Sequence, residues 1–170
     1  MATPGLGLND SAQSSLTNLV EQKLRAERLV KAGASWFLMV GVLSLINSVL
    51  TMSGSGFRFI FGLGIAQFVD VLARQAGQTG FALSLVINGG VAAVFALFWN
   101  FARKGEHWAF VGGMGLYIID ALVMLMSQDI LAVAFHAYAL YRMYRGFKGI
   151  GPLKHFQGLL QPAGAPIQPR

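Results

Sequence analysis

The sequence predicts an all-α polytopic membrane protein, a bundle of four transmembrane helices with a fifth, shorter helix that does not cross. Three observations lead there. Of 170 residues, 55% are hydrophobic and only 12% charged, against about 25% charged in soluble domains. Between Lys31 and Arg58 there are 26 consecutive uncharged positions, and between Arg74 and Arg103 there are 28; roughly 20 suffice to cross a bilayer core. The third is a hairpin, His107 to Phe147, in which two apolar arms meet at the polar turn Ser127-Gln128-Asp129 and each arm carries one ionisable residue, Asp120 and His136.

Residues 1–34 read as an arm preceding the first span. Asp10 followed by Gln13 has the spacing of a capping box, in which side chains satisfy the free amides at a helix start. From there Leu16, Val20 and Leu24 recur every fourth residue, with Lys23, Arg25, Arg28 and Lys31 among the remaining positions. Such a helix is suited to an anionic leaflet, and equally to a solvated lead-in. No cleavable signal peptide is evident, because the first apolar run begins only near Ser35.

The membrane domain is expected over 35–148. Span one covers about 35–52 and ends at Ser53-Gly54-Ser55-Gly56. The stretch 57–74 holds 15 residues between Arg58 and Arg74, with Gln67 and Asp70 among them; it reads as a re-entrant or interfacial helix. Spans follow at about 80–101, 108–126 and 130–147, and Arg103-Lys104-Gly105-Glu106 is a charged turn between the first two. The last span has 12 uncharged residues between Asp129 and Arg142, so Arg142 must snorkel. Residues 149–170, rich in Gly and Pro, read as a mobile tail.

Charge bias orients the bundle, since cytoplasmic loops are enriched in Lys and Arg. With 57–74 not crossing, eleven basic residues fall on the side of both termini and only Arg58 and Arg74 on the other. With 57–74 crossing, the split becomes 5 to 8. The four-span arrangement with cytoplasmic termini follows, and it gathers Trp36, Trp99, Trp108, Tyr141 and Tyr144 at the inner interface. The net charge of +6 is explained by this topology, and no nucleic-acid partner is expected. A spacing of 50 relates Gly62, Asp70, Leu72, Gln78 and Ala82 to Gly112, Asp120, Leu122, Gln128 and Ala132. Five matches do not outweigh the charges.

Asp120 and His136 each lie eight residues from Gln128, about 12 Å along a helix at 1.5 Å per residue. Asn47, Asn88, Gln67 and Asp70 fall at comparable depth, which predicts a polar layer in the outer half of the bundle. For Asn47, Asn88 and Gln67 the expectation is interhelical hydrogen bonding. For Asp70, Asp120 and His136 it is a binding or proton-relay site, because an intramembrane charge is costly unless used. Gly62, Gly64, Gly89, Gly90, Gly112, Gly113 and Gly115 are expected to allow close helix approach; without a following Lys and a preceding strand they are not phosphate loops.

No enzyme activity is expected. The chain has no cysteine, and no serine stands at a recognisable spacing from a histidine. A single intramembrane histidine argues against a haem or metal site within one chain, so neither cofactor nor metal is anticipated. The motifs GLGIAQFVDVLA and AFHAYALYRMYRGFKG resemble those of small bacterial integral membrane proteins of unassigned function, over roughly Trp36 to Lys148. That resemblance implies a bacterial inner-membrane location and no particular activity. The partners expected are the lipid bilayer and a second copy or a larger membrane complex. The leading functional expectation is a structural or interaction protein; the alternative is a small transporter or proton-coupled carrier.

Overall fold

In the computed structural model, residues 6–53, 63–75, 77–126 and 128–160 are described. All regular structure among them is helical: α1 (Leu6–Met52), α2 (Gly64–Gln75), α3 (Gly77–Ala102), α4 (His107–Met126), α5 (Ile130–Lys148) and α6 (Ile150–Leu159). Three of these, α1, α3 and α4, are long and apolar enough to cross a membrane. The fourth expected span, α5, has 19 residues but carries Arg142, Arg145 and Lys148 in its last two turns. The fifth element, α2, has 12 residues, about 18 Å of helix, well short of a bilayer core.

The arm and the first span are one uninterrupted helix of 47 residues. No proline interrupts the sequence from Leu6 to Met52, and the two glycines in its interior, Gly33 and Gly41, each sit against another helix, so nothing forces a break. Asp10 therefore lies inside α1 and does not cap its start, which corrects the capping-box expectation. The apolar stripe of the arm, Leu16, Val20 and Leu24, is exposed.

A second correction concerns the C-terminal residues. Positions 150–159 form α6, with Ile150 and Leu153 buried against the bundle, whereas 161–170 lie outside the described residues. Gly and Pro content misled here because Pro152 falls in the first turn of α6, where a helix needs no N–H from it.

The remaining joints follow local chemistry. Gly105 adopts φ +84 in the α3–α4 turn, a conformation glycine takes without a Cβ penalty. Asp129 caps α5, accepting from the Ala132 amide at 3.0 Å. Ser127 lies outside the described residues, as do Gly62 and the 54–62 segment that precedes α2.

The core runs between α1, α3, α4 and α5. Phe37 is its hub, with ring centroids 6.4 Å from Phe95, 6.2 Å from Phe98 and 5.7 Å from Phe110. At one end, basic side chains stand over aromatic rings: Arg103 over Trp99 at 4.8 Å, Arg142 over Trp36 at 5.6 Å, Arg145 over Tyr141 at 5.9 Å and Lys148 over Tyr144 at 5.1 Å. The Trp108 ring lies at the same end, 5.1 Å from Phe101.

Glycines separate into two kinds. A Cβ at Gly64 would lie 2.4 Å from the Met124 side chain, at Gly113 2.5 Å from Phe37 and at Gly112 3.1 Å from Phe98. At Gly89, Gly90 and Gly115 it would meet nothing within 4 Å, so the close approach expected there is not made within this chain. The tightest approach that exists between long helices was not among those anticipated. It is Gly33 of α1 on Gly146 of α5, where an added Cβ would come within 2.4 Å of backbone.

Candidate functional site

The expected polar layer resolves into two separate clusters, joined by α2. The first is built on Asp120 of α4, which is 5% exposed. Its Oδ2 accepts from the Gly64 amide at 2.9 Å and its Oδ1 from the Ile65 amide at 2.9 Å. These are the first two amides of α2, which have no partner inside their own helix. Asp120 thus caps α2 from another helix, with its carboxylate at the positive end of the α2 dipole.

His136 of α5, fully buried, completes this cluster. Its Nδ1 lies 2.7 Å from the Ala132 carbonyl oxygen and its Nε2 lies 2.8 Å from Asp120 Oδ2. A carbonyl oxygen can only accept, so Nδ1 carries a proton. One more proton must then lie between Nε2 and Oδ2, since two bare acceptors would repel at that distance. Wherever that proton sits, the pair is neutral as a unit. The burial of two ionisable groups is thereby made tolerable in an apolar setting. The Tyr117 ring stacks on the imidazole, centroids 4.6 Å apart and 15° from parallel.

The second cluster is built on Asp70 of α2, fully buried. Its Oδ1 accepts from the Ser84 hydroxyl and from Asn88 Nδ2, the latter at 2.7 Å. Asn88 Nδ2 also approaches Ser48 Oγ of α1 at 2.8 Å and Ser84 Oγ at 3.2 Å. Helices α1, α2 and α3 meet in this way through one carboxylate, one amide and two hydroxyls. Unlike Asp120, Asp70 is left incomplete: its Oδ2, Asn88 Oδ1 and Ser44 Oγ are buried without a hydrogen-bond partner among the described residues. The Tyr117 hydroxyl shares that condition.

Of the six polar residues singled out in the sequence, Asp120 pairs with His136, and Asp70 with Asn88. Asn47 is buried one position before Ser48, while Gln67 is half-buried and joins neither set of hydrogen bonds. Ser44, Ser48, Ser84, Tyr117 and the α2 amides were missed. The serines carried a readable signal. Ser44, Asn47 and Ser48 fall at i, i+3 and i+4, and Ser84 and Asn88 at i, i+4, which places each set on one helix face.

Among the described residues, no three His, Asp or Glu side chains are grouped to hold a metal ion. The regular structure of the described residues is helical, with three helices long and apolar enough to cross a membrane and two buried polar clusters between helices. No family model matches the sequence, and comparisons with curated proteins and with solved structures return no match.

Proposed function

We propose that the chain is a structural or interaction protein of the bacterial inner membrane, acting as an accessory subunit or a homo-oligomer. The observation that carries this reading is the completeness of the Asp120 cluster. Both Asp120 carboxylate oxygens and His136 Nε2 tie α2, α4 and α5 together, while His136 Nδ1 is engaged by the Ala132 carbonyl of its own helix. With every one of these atoms already bonded within the protein, the net effect of the cluster is to fix helix positions. In this reading α1, α3, α4 and α5 cross the bilayer, α2 is re-entrant or interfacial, and both termini are cytoplasmic. The grouping of cation–aromatic pairs at one end of the bundle supports that orientation.

Two measurements test it. Purification in mild detergent should return either a defined oligomer or a stoichiometric partner by cross-linking and native mass spectrometry; a bare monomer at all concentrations would remove the reading. For topology, the absence of cysteine allows single introductions at exposed sites. Lys104→Cys and Gly151→Cys should resist an impermeant thiol reagent in intact cells, and Ser53→Cys should react. Labelling at Lys104→Cys before lysis would invert the arrangement.

One observation favours the second reading, a proton-coupled carrier. The unpartnered oxygens of Asp70, Asn88 and Ser44 leave room for a proton or small cation at a carboxylate that meets no basic side chain among its bonds. Liposomes holding the protein and a pH-sensitive dye would then show proton flux, abolished by Asp70→Asn. Absence of flux from the unaltered protein would eliminate the carrier.

A further inference from the structure

At the end of the bundle where the cation–aromatic pairs gather, α5 turns into α6 at Gly149 and lies against α1. The fit at the corner is tight: a Cβ at Gly149 would stand 3.2 Å from Leu29 and from Val30. Beside this corner is a groove of about 380 Å³. Its apolar floor includes Ala26, Leu29 and Phe156, and its rim carries Arg25, Arg145 and Lys148. Three cations from two helices therefore converge on a mostly apolar cleft.

The charges around it are poorly compensated. Arg25 meets Glu21 at 3.5 Å, with both side chains more than 60% exposed, an ion pair of little strength. No carboxylate among the described residues pairs with Arg145 or Lys148. Each instead stands over a tyrosine ring of its own helix, which leaves the guanidinium and ammonium donors available. Guanidinium and ammonium groups grouped in this way match a phosphodiester.

We infer that this groove binds the headgroup of an acidic phospholipid, the phosphate between Arg145, Lys148 and Arg25 and the glycerol end of an acyl chain on the apolar floor. The floor decides between a lipid and a free anion. Inorganic phosphate would use the rim and leave Leu29 and Phe156 wet, whereas a lipid uses both. Leu29 is 42% exposed and lines the groove, so apolar contact can continue from the groove along α1. Basic pockets between helices are suited to anionic headgroups. The inference rests on the membrane placement proposed above but not on the orientation, which the cysteine labelling tests separately.

Protein in a neutral detergent would be titrated with dioleoyl phosphatidylglycerol, with dioleoyl phosphatidylcholine and, in a third arm, with inorganic phosphate. Binding is followed by native mass spectrometry and thermal unfolding. Phosphatidylglycerol should form a retained one-to-one adduct and raise Tm, and phosphatidylcholine should do neither. Replacing Arg145 and Lys148 by glutamine should weaken the adduct by about tenfold or more, at roughly 1 kcal/mol per basic residue. The same change at Arg103 and Lys104, an equally exposed pair at the same end, should leave it intact. Equal losses from both pairs would mean general attraction to anionic lipid and overturn the site. A Tm rise of the same size with phosphate alone would make it a free-anion site, and no adduct would remove it altogether.

Discussion

Gly33→Ala is expected to be among the most damaging single substitutions in this protein, although it adds one methyl group. The new Cβ would stand 2.4 Å from the Gly146 Cα and 2.9 Å from its nitrogen. Both neighbours are backbone, so no rotamer change relieves the contact, and α1 and α5 must move apart. Gly146→Ala repeats the problem from the other side, at 2.6 Å from the Gly33 Cα. Overpacking of this kind costs about 1–3 kcal/mol or more, against which a gain in helix propensity of roughly 0.5–1 kcal/mol offsets only part. Gly115→Ala and Gly89→Ala supply the contrast, since a Cβ there meets nothing within 4 Å. They should leave Tm unchanged or slightly higher. Thermal unfolding in detergent separates the two pairs. Equal Tm values for Gly33→Ala and Gly115→Ala would show that α1 and α5 do not touch through these glycines.

That contrast illustrates what the sequence could and could not disclose. Glycines announced close packing in general, but Gly89-Gly90 and Gly33 look alike in one dimension. Which glycine meets a partner depends on rotation of the helix about its axis, and an apolar helix surrounded by apolar residues gives no periodic cue to that rotation. The limits of α3 and α4 as helices were legible for the opposite reason. Arg74, Arg103, Lys104 and Asp129 interrupt the apolar runs, and α3 and α4 begin and end within a few residues of where those charges place them. The helical character of 150–159 is hidden in a composition rich in Gly and Pro, because Pro152 sits in the first turn, where it is compatible with a helix. Within the polar clusters, matched depth brought Asp120 and His136 together on paper. The capping of α2 was invisible, since it joins residues 56 and 55 positions apart through backbone amides that carry no sequence signature.

Removing the Asp120 carboxylate should cost more than removing the imidazole it meets. Asp120→Leu keeps the number and branching of side-chain heavy atoms but strands the amides of Gly64 and Ile65 and leaves His136 Nε2 without a partner. Three buried or partly buried polar groups lose their partner at once, at about 1–3 kcal/mol for each stranded group, so a loss of about 3–5 kcal/mol is expected. His136→Phe preserves an aromatic ring against Tyr117, yet Asp120 Oδ2 keeps only the Gly64 amide; a loss of about 1–3 kcal/mol is expected. Asp120→Asn is a poorer probe, because its amide nitrogen can still donate to Nε2 while facing the Gly64 N–H. In the double variant His136 no longer waits for a lost partner, so its cost should lie within about 1 kcal/mol of Asp120→Leu alone, a coupling in the range expected for residues in contact. Hydrogen exchange adds a readout that a general loss of stability would not localise. At matched fractions folded, the amides at the start of α2 should exchange faster in Asp120→Leu than in His136→Phe, because only the former loses the cap. Strict additivity in the unfolding cycle would mean that the two side chains do not share the proton assigned to them. Uniform exchange along α2 in both variants would mean that Asp120 does not hold its first turn, and the structural role assigned to this cluster would fall with it.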